Sequence, residues 1–301
     1  MNPFLLGHLP RSRPIVVGHR GVPLLHQENT LAGIRRAIAF GIPAVEIDVQ
    51  LTKDRRAVVI HDHPLYRLTG DGRRIFDLTW DEVSRLRIRR DLPMGIDVHG
   101  QHVVRRYERA EPIPLLEEVL AESRTLAINV ELKMTYSFWQ TEIARTVAKL
   151  IAAENAEDRV IVTSFDPRKL RATVAANPAL ITGFTFSDNM LSFVPLLERF
   201  RMQRELSSNA RHLLGRVVEA HWVGGRVVGV EHTLITAQAV QRLHARGVSI
   251  GTHTIFPIAS STGKAISPSG HAEAEIVRLV AAGVDWIETD DPEQLQTLLQ
   301  R

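Results

Sequence analysis

Short β-branched segments alternate with amphipathic segments along nearly the whole chain. Nine segments have the length and the valine and isoleucine content of buried strands: 15–18, 45–49, 57–60, 126–132, 160–163, 181–185, 227–230, 249–252 and 285–288. Amphipathic segments between them predict helices at 31–40, 115–121, 142–153, 167–176, 237–245 and 274–281. Because such alternation is typical of parallel strands joined by crossover helices, the pattern predicts an α/β fold.

Glycines separate several of the predicted helices from the strands that follow them. Gly41, Gly247 and Gly283 each stand where a helix has to end and the chain has to turn back toward the sheet. Segment 57–60 is joined to the preceding strand as one unit, which leaves eight strand–helix repeats. A (β/α)8 TIM barrel needs about 250 residues, so the sequence predicts this barrel with some length to spare.

The spare length falls into two segments, which we expect to be loop insertions at the C-terminal face of the barrel. Residues 62–114 are polar and rich in arginine, with one short predicted helix at 80–86, and residues 254–271 carry Pro, Ser and Gly. Neither segment is long enough for an independent core by this estimate. We therefore expect residues 1–301 to form a single domain.

Composition excludes several classes of protein. The chain has no cysteine, so disulfides, thiolate metal sites and a cysteine nucleophile are ruled out. The 37 basic and 34 acidic residues nearly balance, and no dense basic face points to nucleic acid. No apolar run approaches the ~18–20 residues of a membrane span, and residues 1–13 do not resemble a signal peptide. We expect a cytoplasmic protein without stable membrane insertion, whose oligomeric state the sequence leaves open.

Acidic residues stand at the ends of two neighbouring predicted strands. Strand alternation points Glu46 and Asp48 to the same side, and Glu131 and Lys133 repeat the arrangement one barrel strand later. Three carboxylates without a histidine or cysteine among them suit a hard cation such as Mg²⁺ or Ca²⁺. A buried salt-bridge network with Arg20 or Lys133 explains the same residues equally well. Both interpretations stay open at this point.

Two histidines follow predicted strands and would reach the same end of the barrel. His19 and His61 have side chains whose ordinary pKa lies near neutrality, so they can serve as general base and general acid. Arg20 carries forked donors that match phosphate oxygens. Each of these residues taken alone is more often an ordinary surface residue. Together with an acid-held cation, they favour a phosphate diester as the substrate.

A series of short motifs runs in order through residues 15–298. The first motifs are Val17-Gly18-His19-Arg20-Gly21, Glu28-Asn29-Thr30, Glu46-Ile47-Asp48-Val49, His61-Asp62 and Arg67-Leu68-Thr69-Gly70. The later ones are the segment from Ile113 to Leu120, Asn129-Val130-Glu131-Leu132-Lys133, Ser164-Phe165-Asp166-Pro167, Gly283-Val284-Asp285 and Thr289-Asp290-Asp291-Pro292. One of these motifs alone would be weak, whereas the ordered set is specific and resembles the glycerophosphodiester phosphodiesterase family.

The resemblance implies a (β/α)8 barrel that splits a glycerophosphodiester into glycerol 3-phosphate and an alcohol. It implies that Glu46, Asp48 and Glu131 hold a divalent metal, normally Mg²⁺ or Ca²⁺, and that His19 and His61 form the acid–base pair. It further implies that Arg20 and Lys133 approach the phosphate or the metal-bound oxygens. Glu28 would support the metal site or bind substrate hydroxyls.

One segment departs from the family pattern. The seventh strand of the family usually ends in a Trp-Thr-Val-Asn-like segment whose tryptophan lines the substrate side, but here Gly251 stands at the position assigned to that tryptophan. Loss of the ring would open space and change the choice of alcohol. We interpret His253 as a loop residue. The loop through residue 271 is also longer than expected.

Three other functions fit parts of the sequence. Lysophospholipase D-type cleavage would need an apolar groove, for which Phe184, Phe186, Phe193 and Phe256 are candidates, although packing in the core or loops suits them better. A glycosidase would use two carboxylates but leave Arg20, Lys133 and both histidines without a role. A non-catalytic binding protein on this scaffold should have lost a ligand or a histidine, and none is missing.

Overall fold

The computed structural model describes residues 2–6, 13–97, 99–133, 141–186, 225–255 and 269–300. In chain order its strands are β1 (Ile15–Gly18), β2 (Ala44–Leu51), β3 (Ala57–Val59), β4 (Arg87–Ile88), β5 (Asp91–Ile96), β6 (His102–Arg106), β7 (Glu111–Pro112), β8 (Ala127–Leu132), β9 (Val160–Ser164), β10 (Ile181–Phe186), β11 (Val227–Glu231), β12 (Ser249–Ile255) and β13 (Trp286–Thr289). Its helices are α1 (Leu31–Ala39), α2 (Tyr66–Thr69), α3 (Trp80–Arg85), α4 (Leu116–Glu122), α5 (Glu142–Ala153), α6 (Pro167–Ala176), α7 (Ala237–His244), α8 (Ser269–Ala282) and α9 (Pro292–Gln300).

Eight parallel strands close into a barrel. Their order around the barrel is β1, β13, β12, β11, β10, β9, β8 and β2, and β1 pairs again with β2 to complete the ring. The predicted (β/α)8 TIM barrel is therefore confirmed. Because the carboxyl ends of parallel strands meet at one rim, residues that follow different strands are brought to a common mouth.

Two apolar layers hold the barrel together. The larger cluster packs the outward-facing residues of the strands against the helices. A smaller cluster fills the opposite end of the interior from Phe4, Val17, Ala44, Ala127, Ile161, Val227, Trp286 and Leu5. The Phe4 ring packs edge-on against the Trp286 indole, with centroids 5.4 Å apart. Apolar side chains thus close this end of the barrel and leave polar groups to the mouth.

Local capping sets the helix boundaries. The hydroxyls of Thr30 and Thr236 accept hydrogen bonds from the first turns of α1 and α7, and Asp166 caps α6 directly before Pro167. Gly247 and Gly283, with φ of 73° and 84°, adopt the left-handed conformation that the sequence predicted after their helices. No helix in the described ranges is both long enough and apolar enough to cross a bilayer.

The second barrel strand continues into a hairpin that returns the chain to the mouth. β3 pairs antiparallel to β2, with Val49 opposite Val59 and Leu51 opposite Ala57. The backbone N–H of Ile60 donates to the Asp48 carbonyl at 2.8 Å. The residues after β3 consequently lie at the level of Asp48, which explains how His61 reaches the site despite its distance along the chain.

The insertion at 62–114 is more ordered than its sequence suggested. The predicted short helix is present as α3. The insertion also contains α2, a 3₁₀ turn at Ile75–Asp77 and two small antiparallel sheets, β4 with β7 and β5 with β6. Its buried apolar side chains form a cluster that extends to Val58 and Ile60. This apolar cluster is shared with barrel residues Val58 and Ile60, so it is not an independent core. The sequence did not reveal the cluster, because its apolar residues are scattered between arginines and meet only after folding.

The space beside Gly251 is filled. A Cβ atom built at this residue would lie 1.7 Å from Cε2 of the Trp286 indole, which is fully buried. Gly251 therefore serves to admit the ring of Trp286 into the barrel interior. The expectation of an opened substrate side at this residue was wrong, since strand β12 runs on to Ile255 and places Gly251 well inside the barrel.

We predict that Gly251→Ala destabilises the protein by about 2–3 kcal/mol, because the new methyl group overlaps the indole of a tryptophan that has no room to move. Gly229→Ala is the matched control, since its Cβ would meet only Thr185 atoms at an ordinary 3.8 Å. Urea unfolding of both variants measures the effect. Equal unfolding midpoints for Gly251→Ala and the wild type would contradict the packing described here.

Candidate active site

Three carboxylates converge at the barrel mouth. Glu46 and Asp48 come from β2 and Glu131 from β8, with Asp48 directly opposite Glu131 in the strand register. One oxygen atom of each carboxylate lies within 4.8 Å of an oxygen of the other two. Glu46 and Asp48 are buried, at 2% and 1% exposure. The structure thus brings together the three acids that the sequence singled out.

Two cations share this cluster. The Lys133 ammonium lies 3.2 Å from Asp48 Oδ1 and 2.8 Å from Glu131 Oε1. The Arg20 guanidinium lies 3.3 Å from Asp48 Oδ2 and donates to Glu28 at 2.9 Å. Burial alone would raise the pKa of Asp48, but Lys133, His61 and Arg20 lower it well below its usual range. Asp48 is therefore a fully compensated anion.

Glu46 lacks such compensation. Its Oε2 accepts from the backbone N–H of Arg20 at 2.9 Å, but its buried Oε1 has no hydrogen-bond partner in the described parts of the chain. Burial and the nearby carboxylates of Asp48 and Glu288 raise the pKa of Glu46 well above its usual range. An uncompensated oxygen among several carboxylates fits a hard divalent cation better than a closed salt-bridge network.

The loop after β1 orients the acidic cluster. Arg20 has a positive φ of 54°, and its amide points at Glu46. Asn29, with a φ of 60°, donates from Nδ2 to Asp48 Oδ2 at 2.8 Å and accepts from the Asp48 backbone N–H at 3.1 Å. The paired contacts fix both the strand and the carboxylate of Asp48. Sequence reasoning saw Asn29 only as part of a motif.

Each of the two histidines is held by a neighbouring aspartate. His19 Nδ1 lies 2.6 Å from Asp290 Oδ1, and His61 Nδ1 lies 2.9 Å from Asp62 Oδ1. An ionised carboxylate only accepts hydrogen bonds, so each Nδ1 carries a hydrogen and each Nε2 is left for chemistry. His19 Nε2 lies 4.0 Å from Glu46 Oε2. Burial, together with Arg20 and Lys133, lowers the pKa of His61.

Glu28 belongs to an ion-pair network that joins the carboxylate cluster through Arg20. Arg67 donates to both oxygens of Glu28 at 2.7 and 2.8 Å and to both oxygens of Asp62 at 2.7 and 2.8 Å. Glu28, His61 and Asp62 also have the spacing of a metal group. Because Arg67 engages all four carboxylate oxygens, this group is an ion-pair network. Arg67 is a site residue that sequence reasoning saw only within a motif.

A buried polar network lies within the barrel near the acidic cluster. Asn129 Nδ2 donates to Glu288 Oε1 at 2.8 Å, and the Thr163 hydroxyl donates to Asn129 Oδ1 at 2.7 Å. These side chains come from β13, β8 and β9. None of them was a candidate from the sequence, although strand alternation from Asp290 to Glu288 could have indicated that Glu288 faces the interior.

His253 lies within β12, near its end, and is not a loop residue. Its ring packs edge-on toward Phe165, with centroids 6.4 Å apart. Burial, with His19, His232 and Lys133 nearby, lowers the pKa of His253 to about 3. Phe184 and Phe186 pack with the outer apolar cluster, as the sequence favoured. Phe193, Phe256 and most of the loop at 254–271 fall outside the described residues.

A closed parallel barrel whose mouth combines clustered carboxylates, two oriented histidines and basic side chains defines a (β/α)8-barrel enzyme of the phosphodiesterase class. Residues 19–294 match the model of the glycerophosphoryl diester phosphodiesterase family. The chain belongs to this family, whose members are phosphoric diester hydrolases.

Known proteins of this family resemble the chain over almost its full length. It is 26% identical over 289 residues to a glycerophosphodiester phosphodiesterase of Caldanaerobacter subterraneus subsp. tengcongensis, covering 96% of this chain and 99% of the relative. It is 23% identical over 293 residues to a lysophospholipase D of Mus musculus, covering 94% of this chain and 85% of the relative.

Solved structures show the same fold. A glycerophosphodiester phosphodiesterase of Parabacteroides distasonis superposes with a TM-score of 0.65 at 19% identity, covering 96% of this chain and 97% of that chain. An Oleispira antarctica phosphodiesterase in complex with the product sn-glycerol-3-phosphate has a TM-score of 0.64 at 20% identity, covering 96% and 98%. These similarities support the barrel architecture.

We predict that Arg67→Met lowers stability at neutral pH by about 2–3 kcal/mol, because it leaves the Glu28 carboxylate short of a buried partner. Burial opposes ionisation of Glu28, but Arg20 and Arg67 lower its pKa from 4.5 to about 2. A depressed pKa stabilises the folded state above the unfolded value. That stabilisation is lost as the pH falls from about 4.5 to about 2. The free energies of unfolding of the wild type and Arg67→Met should therefore converge over this pH range.

Arg73→Met is the matched control for this prediction. Arg73 also pairs with two acids, Asp71 and Glu82, but its side chain is 52% exposed. An exposed ion pair contributes little to stability, so we expect the free energy of unfolding to change far less than in Arg67→Met. Urea unfolding at several pH values measures both variants. A constant deficit for Arg67→Met from pH 7 down to pH 2 would contradict the ion-pair assignment.

Proposed function

We propose that this protein hydrolyses glycerophosphodiesters to glycerol 3-phosphate and an alcohol at a divalent cation held by Glu46, Asp48 and Glu131. The observation that carries the proposal is the uncompensated Glu46 carboxylate, 4.0 Å from the imidazole of His19 within a cluster of three acids. Family membership and the named relatives support the same reaction. So does the product bound to the Oleispira antarctica enzyme of the same fold.

The donor set suits Mg²⁺ or Ca²⁺, because all three ligands are carboxylate oxygens. When bound, such an ion polarises a phosphate oxygen and lowers the pKa of a nearby hydroxyl group. The backbone N–H of Arg20 and the side chain of Asn29 hold two of the carboxylates in place. The ligand set is thereby ordered before a cation or substrate arrives.

His19 and His61 supply the proton transfers in this proposal. Asp290 and Asp62 hold each ring so that Nε2 is the atom left for proton transfer. One histidine removes a proton from the attacking oxygen, and the other protonates the leaving alcohol. The attacking oxygen is either the 2-hydroxyl of the glycerol moiety or a water molecule.

Basic side chains bind the phosphate in this proposal. Lys133 and Arg20 lie against the carboxylate cluster, so their charges offset its repulsion toward an anionic substrate. Glu28 contacts Arg20 and Arg67, so it supports the site by orienting the Arg20 guanidinium. The family resemblance implies that Glu28 supports the metal site or binds substrate hydroxyls. Both of its oxygens accept from these two arginines, which favours the first of these roles.

Cleavage of lysophospholipids is the second candidate, because the chain also resembles a lysophospholipase D. That substrate needs an apolar groove for its acyl chain. Phe184 and Phe186 do not supply one, since they pack with the outer cluster. The other two candidates, Phe193 and Phe256, lie outside the described residues. We place the glycerophosphodiester first because the family model that matches this chain is named for that substrate.

Glycerol 3-phosphate release tests the proposal directly. We expect release from glycerophosphocholine, glycerophosphoethanolamine or glycerophosphoglycerol, abolished by EDTA and restored by Mg²⁺ or Ca²⁺, because the carboxylate cluster needs a cation to bind an anionic diester. Activity confined to lysophospholipids would shift the assignment to the second candidate. Intact cation binding without hydrolysis of any diester would instead indicate a binding protein.

We predict that His19→Ala and His61→Ala each lower kcat by a factor on the order of 10²–10⁴, the usual contribution of a general acid or base. Cation binding, measured by calorimetry, should persist because neither imidazole belongs to the carboxylate trio. His102→Ala is the control, since this histidine is exposed on β6. Near-full activity in either active-site variant would refute the acid–base assignment.

A further inference from the structure

Glu288 is an acid in an unusual place. It lies on β13 inside the barrel and is 7% exposed. It forms no ion pair with a lysine or arginine in the described parts of the chain, and its one hydrogen bond there is accepted from Asn129. A buried carboxylate is costly unless it is paired with a positive charge. The reason for an acid at this position therefore has to lie in the residues that surround it.

A chain of two hydrogen bonds, from Thr163 to Asn129 and from Asn129 to Glu288, holds the Glu288 carboxylate in place. Asn129 spans from β8 to β13, which are separated around the ring by β2 and β1. The Thr163 hydroxyl occupies the Asn129 carbonyl, so the amide Nδ2 is directed at Glu288. This network crosses the barrel interior at the strand level of Glu46, which lies opposite Asn129 in the register. The carboxylate is thus anchored from two strands across the barrel.

The charge of Glu288 interacts electrostatically with the carboxylate cluster of Glu46, Asp48 and Glu131. The charge of Glu288 helps to raise the pKa of Glu46. Burial, together with Glu131 and Asp48, raises the pKa of Glu288 itself to about 7, although His19 and Asn129 act in the opposite direction. The carboxylates of Glu46, Asp48, Glu131 and Glu288 consequently share one region. The side chains of Lys133 and Arg20 contact Asp48, Glu131 and Glu28, but in the described ranges neither of them pairs with Glu46 or Glu288. The arrangement has an excess of negative charge that a divalent cation would neutralise.

We propose that Glu288 is a fourth acidic residue of the cation site, which strengthens cation binding through its charge while Glu46, Asp48 and Glu131 provide the ligand oxygens. This inference rests on the cation site of the proposed function. Asn129 and Thr163 are positioning residues for Glu288 in this arrangement. Their hydrogen bonds keep the carboxylate in place without cancelling its charge.

Calorimetric titration with Mg²⁺ or Ca²⁺ alone tests this role. Glu288→Gln removes the charge but keeps an oxygen that accepts from Asn129. We expect its Kd for the cation to rise roughly tenfold or more, because a unit charge several ångströms from a divalent ion in a buried site contributes this much. Glu111→Gln is the matched control, since Glu111 is equally buried at 8% exposure but pairs with Arg109. Its Kd should stay within twofold of the wild type.

Thermal unfolding separates an electrostatic role from a structural one. Without cation, Glu288→Gln should unfold at the same temperature as the wild type or higher, because a buried charge without a basic partner is removed. With saturating cation, its Tm should rise less than that of the wild type. A lower Tm without cation combined with an unchanged Kd would overturn the proposal and leave Glu288 as a structural residue.

The result also separates this inference from the proposed function. If the wild type and Glu288→Gln bind the cation with the same Kd, while Glu46→Gln loses binding, the role of Glu288 is refuted and the cation site stands. If the wild type binds neither Mg²⁺ nor Ca²⁺, the cation site itself is refuted, and the role of Glu288 falls with it.

Discussion

Repulsion between carboxylates at the barrel mouth is the constraint on which this site depends. Glu46, Asp48 and Glu131 cannot move apart, because the hydrogen bonds between β2 and β8 fix their spacing. Their charge has to be balanced locally by Lys133 and Arg20. The balance is incomplete at Glu46, and a rigid barrel that maintains uncompensated charge is prepared to bind a cation and, with it, an anionic substrate.

The histidines and Arg67 are held in place by ion pairs and hydrogen bonds of the same kind. Asp290 and Asp62 orient the two imidazoles, and Arg67 in turn engages Asp62 together with Glu28. Both imidazoles and the carboxylates of Asp62 and Glu28 are therefore oriented by a hydrogen-bonded partner. The hairpin formed by β2 and β3 makes this possible, because it returns the chain to the level of Asp48. Insertion and barrel thus contribute to one electrostatic network.

Much of the architecture was predictable because its signals are local. Short β-branched strands alternating with amphipathic helices predicted the barrel, and strand alternation predicted that Glu46 and Asp48 share a side. The small strands of the insertion were missed, since segments as short as Arg87–Ile88 carry no periodic signal. Gly251 was misjudged for a related reason. Glycine is required at this position because the Trp286 ring, which comes from a different strand, fills the space beside it. Sequence spacing cannot reveal that contact.

The sequence by itself determined the order of the elements and the side on which each strand residue lies, because the periods of 3.6 and 2 are properties of the backbone. It also determined which residues were candidates for chemistry. Only the tertiary structure decided the pairing: Lys133 lies between two acids, Arg67 takes both Glu28 and Asp62, and Glu288 approaches from another strand. Charges separated by many residues interact through space, and barrel closure sets those distances.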